Sequence, residues 1–502
     1  MEIKKLTLNN LGRFENLEVD FAPTDDNQSN VTVFIGNNGA GKTSILAALA
    51  TSLSWFVARM RSEKGSGIAI NELVIINDAP AASITLQLSD DVRVDGNRDI
   101  ELSYYQWTLV KAQKGRKSDK PSNLSESTKL ADNYRQLLTD DSNASLPLIA
   151  YYPVERSVLD IPLKIMGKHS FSQIEGYESA LNQGVDFRRF FEWFREREDI
   201  ENEERVRYRE NSWSEQMQEI KRQEELTEIY KRKAEELDKR KDENLSIEQK
   251  IKNAEELTNL IEEVMEFRTT FKKLDDIGDK QIEDKQLNAV RDAITNFMPN
   301  LSNIRVQRKP RLHMAVDKDG KSLNVMQLSQ GEKSLMALVG DIARRLAMMN
   351  PELDNPLQGD GIILIDEVDM HLHPSWQRNL VQRFTDTFPN CQIILSTHSP
   401  LVISDQKDIL VYLLSNGEIG ALPPLYGADV NTVLLEAMDT DVRNPDINEK
   451  LNDLLDAIHD ADIDGAKKLL EVLEIELPSS NMELAKARLL LRKKELQLAK
   501  NK

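Results

Sequence analysis

Residues 31–50 pass from Val31-Thr32-Val33-Phe34-Ile35 through Gly36-Asn37-Asn38-Gly39-Ala40-Gly41-Lys42-Thr43 into Ser44-Ile45-Leu46-Ala47-Ala48-Leu49-Ala50. A continuous apolar strand pattern, a G-x-x-x-x-G-K-[ST] octapeptide and a helix-forming run in that order leave few folds open. Small residues let backbone N–H groups curl around phosphate oxygens at a helix N-terminus. Lys42 reaches the β and γ oxygens, and Thr43 offers its hydroxyl to Mg²⁺. The expected ATP-binding set is Asn38, Gly39, Ala40, Gly41, Lys42, Thr43 and Ser44. The expected fold class is α/β, with the ligand at the carboxyl ends of parallel strands.

Two later segments supply the remaining chemistry of such a site. Gly361-Ile362-Ile363-Leu364-Ile365 is apolar throughout and ends in Asp366-Glu367, so both carboxylates emerge where ligands of open α/β sheets bind. Asp366 is expected to hold Mg²⁺, and Glu367 to orient attacking water and accept its proton. The next apolar strand, Gln392-Ile393-Ile394-Leu395, exits into Ser396-Thr397-His398-Ser399-Pro400, which places His398 as a neutral sensor of the γ-phosphate. His371 and His373 lack a visible third ligand nearby, so the segment around them reads as a loop rather than a metal site.

A chain of 502 residues exceeds one core, and its composition divides it. Residues 1–35 alternate as paired strands, with Ile3, Leu6, Leu8, Leu17, Val19 and Phe21 on one side. Further strands are expected at 83–88, 100–110 and 146–152, with a turn at Asp95-Gly96-Asn97. Residues 187–300 are rich in Glu, Lys and Arg and poor in glycine, which predicts a helical insertion. Leu257, Leu260, Ile261, Val264 and Met265 lie on one face of it, and a break falls at Lys241-Asp242-Glu243-Asn244. Residues 445–502 read as helical and end in Lys486, Arg488, Arg492, Lys493, Lys494 and Lys500. The one cysteine, Cys391, sits in a strand and excludes an internal disulfide, pointing to a reducing, cytoplasmic setting. No run of about 20 apolar residues suggests a membrane span. A net charge of −19 argues against wrapping nucleic acid over the whole surface.

The segment Leu328-Ser329-Gln330-Gly331-Glu332-Lys333-Ser334, N-terminal to the Asp366-Glu367 strand, completes a set that resembles the RecF/SMC branch of ABC-type ATPases. The resemblance covers roughly residues 1–186 and 301–440. It implies an ABC-type ATPase head split by an inserted, coiled-coil-like helical lobe, with a C-terminal helical extension. The corresponding divisions are 1–186 and 301–440 for the two halves of the head, 187–300 for the insertion and 441–502 for the extension. Arg13, in Asn10-Leu11-Gly12-Arg13-Phe14-Glu15-Asn16, matches the basic residue that this branch places near the nucleotide. The resemblance further implies two heads facing head to tail, Ser329, Gln330 and Gly331 of one contacting in trans the γ-phosphate held by Lys42 of the other.

Within the branch the chain is similar to the ATPases of Septu-type anti-phage systems, the PtuA family with its retron-associated relatives. The residues that carry this are Ala150-Tyr151-Tyr152-Pro153-Val154-Glu155-Arg156, Phe190-Phe191-Glu192-Trp193-Phe194, Gly340-Asp341-Ile342-Ala343-Arg344-Arg345-Leu346 and Leu425-Tyr426-Gly427-Ala428-Asp429-Val430-Asn431-Thr432. That family implies a partner HNH nuclease of PtuB type, with a retron reverse transcriptase and its DNA and RNA in some systems. The chain departs from the OLD nucleases, another defence ATPase type, in having too little sequence after His398 for a metal-dependent nuclease domain and no clustered Asp-x-Asp there, so an ATPase with no nuclease activity of its own is expected. Two other functions compete: a DNA repair or recombination ATPase clamping duplex DNA, and a scaffold that keeps ATP without turnover. DNA contact would use Lys111, Lys114, Arg116, Lys117 and Lys120, or Arg305, Arg308, Lys309 and Arg311.

Overall fold

The computed structural model describes residues 1–91, 102–154, 171–182, 187–239, 246–272, 283–436, 438, 444–478 and 481–500. In chain order the strands are β1 (Glu2–Leu11), β2 (Phe14–Asp20), β3 (Val31–Gly36), β4 (Ala81–Asp90), β5 (Ser103–Ala112), β6 (Leu148–Tyr152), β7 (Leu301–Gln307), β8 (His313–Lys318), β9 (Lys321–Asn324), β10 (Gly361–Ile365), β11 (Cys391–Ser396), β12 (Leu410–Ser415) and β13 (Glu418–Ala421). The helices before the Leu328–Ser334 signature segment are α1 (Lys42–Arg61), α2 (Ser125–Asp140), α3 (Phe187–Lys239), α4 (Ile247–Lys272) and α5 (Lys285–Phe297). Those from it onward are α6 (Gln330–Met349), α7 (Pro374–Gln377), α8 (Leu380–Thr387), α9 (Pro400–Ser404), α10 (Val430–Glu436), α11 (Pro445–His459), α12 (Ile463–Glu476) and α13 (Met482–Lys500). The Asp95–Asn97 turn, Glu155 and Arg156, and the Lys241–Asn244 break lie outside the described residues.

The central sheet runs β13-β12-β3-β11-β10-β6, parallel except for the β13 edge. Every residue of β3, β10, β11 and β6 is buried, as continuous apolar runs covered on both faces require. Because β11 lies between β3 and β10, the segments leaving all three strands share one edge. That adjacency builds the site.

An antiparallel sheet, β2-β1-β4-β5, carries the alternating pattern of the N-terminal segment. α1 packs against strands of both sheets and against α2, burying Ile45, Leu46, Leu49, Leu53 and Phe56. By length and composition α1 could cross a membrane, yet 61% of its apolar window is buried within the protein. The sheets are also joined by one polar side chain. Gln392, buried on β11, accepts from the Ile3 N–H at 2.7 Å and donates to the carbonyls of Ile3 at 2.9 Å and Ala22 at 2.7 Å. A buried amide needs such partners, and here they hold the β1–β2 hairpin against the strand that leads to His398.

Residues 187–300 are not uniform. Phe187, Phe190, Phe191, Trp193 and Phe194, in the first turns of α3, are buried in the main core, as are Leu287, Val290, Ile294 and Phe297 of α5. Both ends of the charged stretch are thus anchored, and α5 packs along α6. An ion network ties the anchors together. Arg291 pairs with Glu201 at 3.1 Å, Arg308 on the β7–β8 connection pairs with Glu198 at 3.2 Å, and Arg197 pairs with Asp284 at 2.9 Å. Residues 301–324 form their own antiparallel sheet, β7-β8-β9.

α6 is buried over its last three turns and contains a charged cluster. Asp341, 1% exposed, accepts from Arg344 at 2.7 Å, Arg345 at 2.7 Å and the Tyr152 hydroxyl at 3.0 Å. Arg345 also donates to the carbonyls of Gly176 and Glu178. Burial alone would raise the Asp341 pKa, but the two guanidiniums outweigh it and hold the carboxyl at about 2. Tyr151-Tyr152, Phe190–Phe194 and Gly340–Leu346, singled out in the sequence, are therefore buried, whereas Tyr426 is exposed. Helices α11–α13 close a second, separate apolar cluster around Leu454, Ala466, Leu473 and Leu484.

A folded pKa below the ordinary carboxylate value means that the Asp341 contribution is complete above about pH 4 and is lost as the pH falls toward 2. Asp341→Ala leaves two buried guanidiniums uncompensated and is expected to cost about 3–5 kcal/mol at neutral pH. Denaturant unfolding measures this, and the gap between variant and parent should narrow on acidification through that window.

Candidate nucleotide site

The octapeptide leaves β3 at Gly36 and delivers its last two residues into the first turn of α1. Gly41 has φ 111°, and a Cβ there would overlap the ring of Phe14, so the loop is seated on the β1–β2 turn. Arg13, in the same turn, is exposed and lies over the loop: a Cβ at Gly39 would stand 3.3 Å from its Nη2. Asn38 and Gly39 are exposed, Ala40 is buried, and Thr43 is exposed at the helix start, next to Ser44.

Lys42 is buried and folded back. Its ammonium donates to the carbonyls of Gly36 at 2.8 Å and Asn37 at 3.3 Å, and to His398 Nε2 at 2.9 Å. Burial lowers the Lys42 pKa, with the carboxylates of Glu367, Asp366 and Asp369 opposing. Burial and the Lys42 charge lower that of His398 as well. Because the ammonium can only donate, Nε2 accepts in this contact. These contacts occupy the ammonium's donors with groups that phosphate oxygens can displace.

Asp366 follows β10 and is fully buried. Its N–H donates to the Tyr152 carbonyl at 2.9 Å, and its Oδ1 accepts from Ser396 Oγ at 2.5 Å. Its Oδ2 is buried with no hydrogen-bond partner. A buried carboxylate oxygen without a donor costs free energy that a cation would recover, so the donor set fits Mg²⁺. Glu367 has φ 44°, an unfavourable backbone for a non-glycine residue. Its N–H donates to Ser396 Oγ at 2.8 Å, and its Oε1 lies 3.8 Å from His398 Nε2. The structure thus brings Lys42, Asp366, Glu367 and His398 together.

Three polar residues complete the arrangement, and they went unread in the sequence. Ser396 spans Asp366 and Glu367. Asp369 Oδ1 accepts from Thr397 Oγ1 at 2.5 Å and from the His398 N–H at 3.3 Å. Their signal was weak but present: hydroxyl and carboxylate residues at the mouths of buried strands must find partners. His373 caps α7 through Ser375, and among the described residues no three or more His, Cys, Asp or Glu side chains gather as a metal site.

Ser329, Gln330 and Gly331 open α6. Ser329 and Gln330 are exposed, whereas Gly331 is close-packed: a Cβ there would overlap the carbonyl oxygen of His371. The signature segment therefore rests on the loop that follows Asp366-Glu367 and presents its first two residues to solvent.

The pattern of the AAA ATPase domain family matches residues 1–403. The Retron Ec83 probable ATPase of Escherichia coli is 34% identical over 449 residues, 87% of this chain and 76% of that protein. The Septu protein PtuA of Bacillus mycoides (strain KBAB4) is 36% identical over 132 residues, 24% of this chain and 18% of that protein. Among solved structures, the SmcHead bound to the C-winged helix domain of ScpA aligns with 84% of this chain and 98% of its own at 14% identity, with a TM-score of 0.41. A phosphate loop, an acidic strand end and a histidine on adjoining parallel strands, within a sequence match of this extent, place the chain in the AAA ATPase domain family, alongside the retron ATPases.

Proposed function

We propose that the chain binds ATP and hydrolyses it slowly as a head-to-tail pair, and that this pair restrains a partner HNH nuclease in anti-phage defence. The observation that carries the ATPase part is the unpartnered, buried Oδ2 of Asp366, one residue from Glu367 and beside the Lys42–His398 contact. The defence part rests on likeness to a retron ATPase along most of the chain and to a Septu PtuA along part of it. A reverse transcriptase with its DNA and RNA would be a further partner in a retron setting. Higher assembly than a pair is compatible with the reading, as is a cytoplasmic location.

In this reading Lys42 exchanges the Gly36 and Asn37 carbonyls and His398 for β and γ phosphate oxygens. Arg13 stands over the loop, and Asn38 to Ser44 wrap the phosphates with backbone donors. Thr43 and Asp366 would hold Mg²⁺, which supplies neutralisation of phosphate charge when bound. Glu367 accepts the proton of the attacking water. Released from Lys42, a neutral His398 carrying its proton on Nε2 donates to the γ-phosphate, and Asp369 fixes its backbone. Ser329, Gln330 and Gly331 meet the nucleotide of the facing head.

The DNA-clamp alternative loses part of its basis. Arg305 is paired with Asp317 at 2.9 Å and Arg308 with Glu198 and Asp199, so these side chains are engaged within the protein. Partner contact is better sought on α13, where Leu489, Leu490 and Leu496 are exposed beside Arg492 and Lys493.

Glu367→Gln is expected to lower turnover by about 10²–10⁴-fold while leaving ATP affinity within a few-fold and trapping paired heads; phosphate release at the parent rate removes Glu367 from the chemistry. Lys42→Ala should abolish nucleotide binding by calorimetry. Ser329→Arg should retain single-head ATP binding but fail to pair on ATP addition, as read by mass in solution. Truncation after Asp441, which removes the self-contained α11–α13 cluster, should release the nuclease from co-purified complexes.

A further inference from the structure

Ser329 is held through a neighbour three residues along. Its Oγ donates to Glu332 Oε2 at 2.8 Å, its N–H donates to the same oxygen at 3.0 Å, and the Glu332 N–H donates back to Ser329 Oγ at 3.3 Å. This is a complete capping box, and it commits both donors of the serine to one carboxylate oxygen. The other oxygen, Oε1, accepts from Lys318 Nζ at 2.7 Å. Glu332 is 11% exposed in its side chain and Lys318 is 27% exposed, so the pair is only partly screened by water.

Lys318 is well placed to be fixed. It ends β8 opposite Lys321, across the Asp319-Gly320 turn, whose residues have φ 50° and φ 74°. β9 then leads through a one-turn helix at 325–327, itself closed by a capping box of Asn324 and Gln327, into Leu328 and Ser329. The ammonium therefore comes from the hairpin that immediately precedes the signature segment. Burial would raise the Glu332 pKa, but Lys318 and the Ser329 backbone and hydroxyl hold it below the ordinary carboxylate range. Glu332 is thus an anion directly beside the residue that is to meet a phosphate. Left unneutralised, it would repel the γ-phosphate and keep the serine's proton for itself.

We propose that Lys318 is a positioning residue for the nucleotide of the facing head: through Glu332 it orients the Ser329 hydroxyl and cancels the negative charge standing beside it. The proposal deepens the trans reading of Ser329 and rests on it. It differs from a purely structural role, because the capping box needs only an acceptor at residue 332, whereas approach of a phosphate needs that acceptor to be electrically balanced.

The test uses the full chain with Lys318→Met, Lys318→Arg, Glu332→Gln and the double variant of Lys318→Met with Glu332→Gln. Glutamine still closes the box but carries no charge. Lys318→Met should weaken ATP-dependent pairing and lower kcat by about tenfold each, with single-head ATP affinity, measured on dilute protein, unchanged within about twofold. Lys318→Arg should recover to within about threefold, and in the Glu332→Gln background Lys318→Met should cost less than about twofold. The proposal is overturned by parent-like pairing and turnover in Lys318→Met, by an equal loss in both backgrounds, or by a loss confined to thermal stability or single-head affinity. Ser329→Arg separates the two levels of the argument. If it still pairs on ATP, the trans reading itself fails; if it blocks pairing while Lys318→Met does not alter it, only the role given to Lys318 falls.

Discussion

A carboxylate that the fold buries and only half satisfies governs the architecture. Asp366 can sit fully buried at the mouth of β10 because Ser396 and the Tyr152 carbonyl take one oxygen and the backbone N–H. Its second oxygen is left for something the chain does not provide. Burying such a group is unfavourable unless a cation or donor completes it, so the neighbouring strands must be stable without its help. They are: β3, β11, β10 and β6 are buried along their whole lengths and paired in unbroken parallel register. The energy of the sheet carries the strain of the site.

The same trade is visible at Glu367, whose φ of 44° is tolerated because Ser396 Oγ accepts its N–H, and at Lys42, whose buried charge is shared among two carbonyls and an imidazole. Each of these groups is held in a costly arrangement by partners that are themselves fixed by strand pairing. Tyr152 extends the scheme beyond the site. Its carbonyl accepts from Asp366, and its hydroxyl donates to Asp341 in the middle of α6. The strand end that bears the acid pair and the helix that begins at Ser329 therefore share one residue as a strut.

What could be read from the amino acids was what forms a local pattern, in alternating or continuous apolar runs and in the glycine-rich loop between them. Ile362–Ile365 and Ile393–Leu395 are apolar without interruption and Val31–Ile35 is apolar but for the β-branched Thr32, so their strands and the residues at their exits were legible, as was the helix after Gly41-Lys42. Tertiary choices were less so. The charged block from 187 to 300 has one composition but two situations, since the Phe190–Phe194 aromatics and the apolar face of α5 belong to the core while, among the described residues, Val206, Ile229, Ile247, Ile251 and Ile261 between them are exposed. α2 carried no signal strong enough to separate it from its surroundings. Ser396, Asp369, Glu332 and Lys318 are ordinary polar residues in the sequence, and their importance comes from partners 28 or 30 residues away in the first two instances and 14 residues away in the last pair.

Helices α11–α13 close their apolar contacts on one another, around Leu454, Leu473 and Leu484, rather than on the main core. Among the described residues, therefore, a change in the apolar packing of this bundle falls first on contacts among these three helices and not on those around Lys42 and Asp366.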